Sequence, residues 1–290
     1  MRTIVHISDL HFGRVDPAIL TPLVKFIGEV KPDLVAVSGD LTQRARTAEY
    51  LAAKEFLGSI PFPQVVVPGN HDVPLHNLVS RFTRSLDRYQ RYISADLQPV
   101  FADSEVVVVG VNTARALTWK DGRINRRQLE KLRAMLQAAP ADRTKIVVTH
   151  HPFDLPEGHR EDDLVDRAQL AMAAIAHCGA DVLLAGHLHV SHTGHSSARY
   201  KIAGHSALVV SAGTATSTRG RGETNSFNVL RVKHPFINVE RLSWQPERAA
   251  FIPSSSEHFR HSPDGWARVP DEMAADIVYD DRTEASPNSP

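Results

Sequence analysis

The sequence predicts an α/β fold: a four-layer α-β-β-α sandwich with two packed mixed sheets flanked by helices. Two patterns predict it. Through the first two-thirds, short β-branched apolar runs alternate with stretches of helical period, which implies βαβ units and a sheet covered by helices. Beyond Val190 the segments become short, β-like and separated by turn residues, as expected of a second, more antiparallel sheet packed on the first. A chain of 290 residues, 42% hydrophobic and 23% charged, can bury such a core within one domain.

The elements follow in order. Strands are expected at residues 3–8, 33–38, 64–67, 106–111, 145–149 and 181–185, each a run rich in Val, Ile or Leu. Asp16 before Pro17 gives a helix N-cap with proline at the first helical position. Asn125 with Gln128 three residues on gives a capping box, opening an amphipathic helix through Leu129, Leu132 and Leu136. Later strands are expected at residues 192–195, 200–202, 208–211, 226–232 and 237–242. After Trp244 the chain turns rich in Pro, Ser and charge. We therefore expect a catalytic domain over residues 1–245 and a polar extension over 246–290, with Asp281 to Pro290 disordered.

Composition excludes several classes. Lys+Arg and Asp+Glu both number 33, a balance that argues against a general nucleic-acid or membrane-surface binder. The arginines dense between Arg81 and Arg133 are read as a solvated face. A single cysteine, Cys178, excludes an intrachain disulfide and a cysteine-based zinc site, and its apolar helical setting makes it a small buried hydrophobe. The N-terminus enters a strand without a signal-like apolar stretch, and no segment approaches membrane-span length, so a reducing cytoplasm is expected. The unusual count is histidine, 16 in all, which directs attention to metal.

Five short motifs, each just after an expected strand, carry the chemistry: Asp9-Leu10-His11, Gly39-Asp40, Gly69-Asn70-His71-Asp72, His150-His151-Pro152 and Gly186-His187-Leu188-His189. Loops at the carboxyl ends of strands in an open α/β sheet converge on one crevice, so motifs distant in sequence can meet there. Residues two apart in extended chain project to the same side, pairing Asp9 with His11 and His187 with His189. Each motif alone is weak, since a lone Asp at a strand end is usually a cap and a lone His is usually solvated. As a set they require an explanation that solvation does not provide. Oxygen and nitrogen donors without thiolate suit two divalent or trivalent transition ions such as Mn, Fe or Zn. Seven ligands with Asp40 bridging would give each ion four protein donors and leave positions for water and substrate.

The ordered motifs resemble those of the calcineurin-like metallophosphoesterase superfamily, over about two-thirds of the chain, Asp9 to His189. Length and His-His-Pro most resemble the bacterial class III cyclic-nucleotide phosphodiesterases. The resemblance implies that Asp9, His11, Asp40 and His189 hold one metal and that Asp40, Asn70, His150 and His187 hold the other. His150 is chosen over His151 because the family's ligand precedes proline by two positions. It further implies that His71 faces the scissile phosphate as leaving-group acid or charge stabiliser, with Asp72 orienting it. The substrate implied is a small-molecule phosphoester, with no nucleic acid or membrane as partner, and the subfamily resemblance alone implies a homodimer.

Other readings compete. Hydrolysis of a UDP-diacylglucosamine-type pyrophosphate would want a lipid-accepting cap, and the insert carrying Leu75, Leu78, Val79, Phe82 and Leu86 is short and arginine-rich. Broad-specificity phosphoester hydrolysis would use the same ligands. DNA end processing would want an added basic domain. A non-catalytic scaffold on this fold should have lost ligands, whereas every motif position here is filled. Arg44 and Arg115 follow strand-end motifs and could meet phosphate, although surface arginine is the default. His192 and His195 alternate along an expected strand. Residues 214–225 have the Gly, Arg and hydroxyl content of a phosphate-binding loop without the Walker lysine, and are expected to form a rim.

Overall fold

The computed structural model describes residues 1–75, 78–116, 121–156, 158–159, 161–202, 204–219, 222–270 and 272–273. The expected disorder of Asp281 to Pro290 lies outside the described residues. The first sheet is built from β1 (Arg2–Ile7), β2 (Leu34–Ser38) and β3 (Gln64–Val67), together with β10 (Ser226–Lys233), β11 (Phe236–Gln245), β12 (Ala250–Ser262) and β13 (Gly265–Val269), in the order β13-β12-β11-β10-β1-β2-β3. The second contains β4 (Val100–Ala102), β5 (Val106–Gly110), β6 (Thr144–Val148), β7 (Val182–Ala185), β8 (His192–His195) and β9 (Leu208–Ser211), in the order β4-β5-β6-β7-β9-β8. Both sheets are mixed: β1-β2-β3 and β5-β6-β7-β9 run parallel, and the outer pairings are antiparallel.

Four layers result because nearly every central strand is apolar on both faces. Ile4, Ala36, Val67, Val108, Val148, Leu184 and Val210 fill the layer between the sheets. Their strand neighbours Val5 and Val37 pack outward with Ile19, Leu23 and Ile27 of α1 (Pro17–Val30) and with Tyr50, Ala53 and Phe56 of α2 (Thr47–Gly58). On the far side Val107, Val147 and Leu183 meet Leu129, Leu132 and Leu136 of α5 (Arg126–Ala138) and Met172 and Ile175 of α6 (Ala168–His177). Short helices α3 (Leu78–Thr83) and α4 (Asp87–Tyr92) occupy the insert before β4, and α7 (Ser196–Arg199) follows β8. Asp16 accepts from the Ala18 amide at 3.0 Å, and Asn125 exchanges hydrogen bonds with Gln128, so both expected caps form. Cys178 is buried at the end of α6.

Three expectations are corrected. The sheets do not divide at Val190: β10–β13 join β1–β3 in one sheet, while β8 and β9 complete the other. Strand order depends on which edge can still accept a partner, which no local pattern encodes. Residues 200–202 form no strand; the buried Tyr200 instead closes the core with its hydroxyl donating to the Phe153 carbonyl at 2.6 Å. Beyond residue 245 the chain makes a 3-10 turn, Pro246–Arg248, and returns as β12 and β13, so ordered sheet continues to Val269. Among the described residues no helix is long and apolar enough to cross a membrane.

Candidate metal centre

The loops after β1, β2, β3, β6 and β7 meet at one place. Backbone hydrogen bonds stitch them together: Asp9 N to Gly39 O at 3.1 Å, His11 N to Asp40 O at 2.9 Å, and Gly186 N to His150 O at 3.0 Å. The His187 amide donates across the two sheets to Asp9 Oδ2 at 3.0 Å. Such packing requires a tight backbone. A Cβ on Gly39, whose φ is +91°, would lie 2.7 Å from His150 Nδ1 and 2.9 Å from the Gly69 amide. Asp9, His11, Asp40, His187 and His189 all hold left-handed φ values between 50° and 73°. That conformation costs non-glycine residues of order 1–3 kcal/mol each, and it persists only where the surroundings over-determine it.

The donor atoms fall into two groups. In the first, His11 Nε2 lies 3.4 Å from His189 Nε2, 3.6 Å from Asp9 Oδ1 and 3.6 Å from Asp40 Oδ2, and His189 Nε2 lies 3.5 Å from Asp9 Oδ1. In the second, Asn70 Oδ1 lies 3.1 Å from both His150 Nε2 and His187 Nδ1, and His150 Nε2 lies 3.4 Å from Asp40 Oδ1. The two oxygens of Asp40 therefore face different groups. Bonds of about 2.0–2.2 Å to a tetrahedral ion would place donors roughly 3.3–3.6 Å apart, the spacing of the first group and close to that of the second. Asp9 Oδ1 is buried with no hydrogen-bond donor, as a cation ligand would be. The residues present fit a pair of metal ions.

Outer contacts set which nitrogen faces inward. His150 Nδ1 donates to the Ser38 carbonyl at 2.8 Å, leaving Nε2 as the lone pair that faces Asn70 and Asp40. His189 Nδ1 lies 2.6 Å from Thr214 Oγ1, which turns its Nε2 toward Asp9. Ser8 Oγ donates to Asp9 Oδ2 at 2.6 Å. His151 stands beside the second group, its ring centroid 4.8 Å from that of His150 and 4.6 Å from that of His187, with Nδ1 2.8 Å from Thr113 Oγ1.

Electrostatics favours charged carboxylates and neutral imidazoles at His187 and His189, whereas His150 is raised, against its burial, by Asp40 and Asp9. Burial alone would raise the Asp9 carboxyl, but His189, His11 and His150 overcome it and hold it well below the ordinary range. Asp40 is likewise lowered, against its burial, by His150, His71 and His11. Burial lowers His187 to about 3 and His189 to about 4. The carboxylates are charged and these imidazoles neutral, as ligands must be.

His71 and Asp72, adjacent in sequence, turn to different partners. The His71 ring meets that of His11 edge-on at 4.9 Å, its Nδ1 donates to the Gln43 carbonyl at 2.8 Å, and its backbone amide donates to Asp40 Oδ1 at 2.8 Å. Asp72 was expected to orient this imidazole, but Gln43 does so. The Asp72 carboxylate turns the other way and accepts from the amides of Leu41, Thr42 and Gly69 and from Thr42 Oγ1, at 2.9–3.1 Å. It clasps the Asp40 loop to the Asn70 loop. The reason is donor density: three backbone N–H groups converge on a buried carboxylate, a stronger site for it than one imidazole edge.

Among residues with weaker claims, Arg115 is held by the Ala114 carbonyl and Gln128, which ties it to the start of α5. Arg44 is exposed, with its backbone amide on Glu49. His192 lies 3.7 Å from Asp154, and His195 packs on Phe259. The residue missing from the sequence reading is Arg219, whose guanidinium donates to His71 Nε2 at 3.0 Å. Its only signal in the sequence was the composition of residues 214–225.

The model of the calcineurin-like phosphoesterase family matches residues 2–191. The chain belongs to that family. Among curated proteins, the chain is 29% identical over 161 residues to the 3',5'-cyclic adenosine monophosphate phosphodiesterase CpdA of Escherichia coli, covering 54% of each chain. It is 36% identical over 81 residues, 24% of its own length and 29% of the relative's, to the glycerophosphodiester phosphodiesterase GpdQ of Enterobacter lignolyticus. The chain thus spans about half or less of these two relatives' lengths. A dimetal phosphatase from Danio rerio has the same fold, with a TM-score of 0.63 at 13% identity over 87% of this chain and 98% of that one. So does the purple acid phosphatase PPD1 of yellow lupin, with a TM-score of 0.64 at 14% identity over 89% of this chain and 53% of that one.

Proposed function

We propose that the chain is a dinuclear-metal phosphodiesterase acting on small phosphodiesters of the cyclic-nucleotide class. The observation that carries the reading is Asp40, whose two oxygens face separate donor groups with the spacing of metal ligands. Asp9, His11, Asp40 and His189 would hold one ion, and Asp40, Asn70, His150 and His187 the other. When bound, such a pair supplies Lewis acidity toward a phosphoryl oxygen and a nucleophile at neutral pH.

The chain's own groups do the rest. Ser38 and Thr214 fix the rings of His150 and His189, so the ligand nitrogens need no reorganisation. Gln43 fixes His71 with Nε2 directed away from its own backbone anchor, where it can donate to the departing oxygen when protonated. A diester is supported by the names of both curated relatives and a cyclic nucleotide by one of them. The balanced net charge supports a small-molecule substrate rather than a nucleic acid or membrane surface.

A panel in Mn(II) tests this: bis-nitrophenyl phosphate, nitrophenyl phosphate, cyclic AMP and a UDP-diacylglucosamine analogue. The expected result is turnover of bis-nitrophenyl phosphate and cyclic AMP well above the others. A clear preference for the monoester would overturn the assignment.

A further inference from the structure

The proposed chemistry uses His71 but not the cation that touches it. Arg219 sits half-buried at the end of a loop clasped onto the first motif. Ala215 N donates to the Ser8 carbonyl at 3.0 Å, Thr216 Oγ1 to the Leu10 carbonyl at 2.8 Å, and Thr218 N to the Arg14 carbonyl at 2.9 Å. In return the Asp16 amide donates to the Thr216 carbonyl at 2.8 Å, and Val15 and Ser217 form a β-bridge. The same loop supplies Thr214, the partner of His189. The Arg219 amide closes it on Ser217 Oγ at 3.1 Å. This backbone is therefore fixed relative to the candidate metal centre, and the guanidinium is delivered 3.0 Å from the one ring nitrogen of His71 that is not spent on Gln43.

We propose that Arg219 anchors the substrate's phosphoryl group, donating to a non-bridging oxygen while His71 serves the leaving oxygen. The inference rests on the phosphodiesterase reading. His71 Nε2 and the guanidinium lie 3.0 Å apart, so a single phosphoryl group can place its leaving oxygen on the first and a non-bridging oxygen on the second. The planar N–H fork matches phosphate oxygens, and a half-buried setting strengthens the pairing beyond what an exposed arginine provides. In the free protein the neutral His71 Nε2 accepts from the guanidinium; once that nitrogen carries a proton it no longer accepts, and the N–H fork is released to the anion. This gives the loop over residues 214–219 a role that its composition suggested and its Walker-free spacing left open.

The experiment compares wild type, Arg219→Ala and Arg219→Lys, each reconstituted with Mn(II). Metal content, KM and kcat on bis-nitrophenyl phosphate, and calorimetric binding of inorganic phosphate are measured. Arg219→Ala should keep its metal while KM and the phosphate Kd both rise roughly tenfold or more. Arg219→Lys should recover part of the phosphate affinity, since charge is kept and the fork is lost. If KM and phosphate Kd in Arg219→Ala stay within twofold of wild type while kcat falls, Arg219 acts only through His71 and the proposal is overturned. Absence of phosphate binding by metal-loaded wild type overturns it too. Phosphate binding without diester turnover sinks the phosphodiesterase reading instead, and the calorimetric arm still decides Arg219.

Discussion

Replacing Asp72 by Asn separates a clasp from a catalytic orienter. One carboxylate oxygen accepts from Thr42 N and Thr42 Oγ1, both at 2.9 Å, and the other from Gly69 N at 2.9 Å and Leu41 N at 3.1 Å. An amide retains one acceptor oxygen. Its better orientation keeps that oxygen on Gly69 and Leu41, because the Thr42 hydroxyl can turn to the His71 carbonyl at 3.1 Å. The Thr42 amide is then a buried donor facing a donor, which costs about 1–3 kcal/mol. The two remaining bonds also lose their charge assistance, so the total comes to roughly 2–4 kcal/mol. Against a typical stability of about 5–15 kcal/mol this is a large fraction. Urea unfolding of the chelator-treated wild type and Asp72→Asn should show it directly. Stabilities equal within about 0.5 kcal/mol, with turnover lost, would restore Asp72 as the orienter of His71 and refute the clasp.

Three further outcomes are expected. His71→Ala should keep near-normal metal content and lose about 10²–10⁴ in kcat, as removal of an acid does; unchanged turnover would take His71 out of the mechanism. Trp266→Ala, in the last strand, removes a buried ring whose Nε1 donates to Asp181 at 2.9 Å, and should cost about 3–5 kcal/mol in unfolding experiments if β13 belongs to the fold. His6, on Ser38 Oγ at 2.9 Å, is lowered by burial to about 3, so the unfolded chain takes up its proton first as pH falls below about 6.5. The stability it provides is complete above that pH and declines by about 1.4 kcal/mol per unit down to about 3, so the gap between wild type and His6→Asn should narrow on acidification. A gap independent of pH would contradict the buried neutral state.

The sequence was most informative where a local pattern has a single structural solution. Val106 to Val109, apolar on consecutive residues, can only be a strand covered on both sides, and they pack alternately between the sheets and beneath the helices. The candidate ligands were legible because each follows such a run, and the seven meet in two adjoining donor groups that share Asp40. What stayed hidden depends on non-local pairing. In β12 only Phe251 and Phe259 are fully buried, and Pro253 with three serines reads as a loop, since one face of this long strand is solvated. The Gly-Asn-His-Asp motif placed Asp72 beside His71 in sequence, but the three amides that claim its carboxylate come from the loop after β2 and from Gly69. Arg219 lies 148 residues from His71, and no spacing rule joins them.

A dinuclear centre at this place requires Asp40 to hold two cations at once. Titrating the metal-free chain with Mn(II), and counting bound ions by elemental analysis after gel filtration, measures this directly. Wild type should retain two ions per chain, and Asp40→Ala should lose affinity at both positions together. One ion or none in wild type, or two ions held with undiminished affinity by Asp40→Ala, would contradict it.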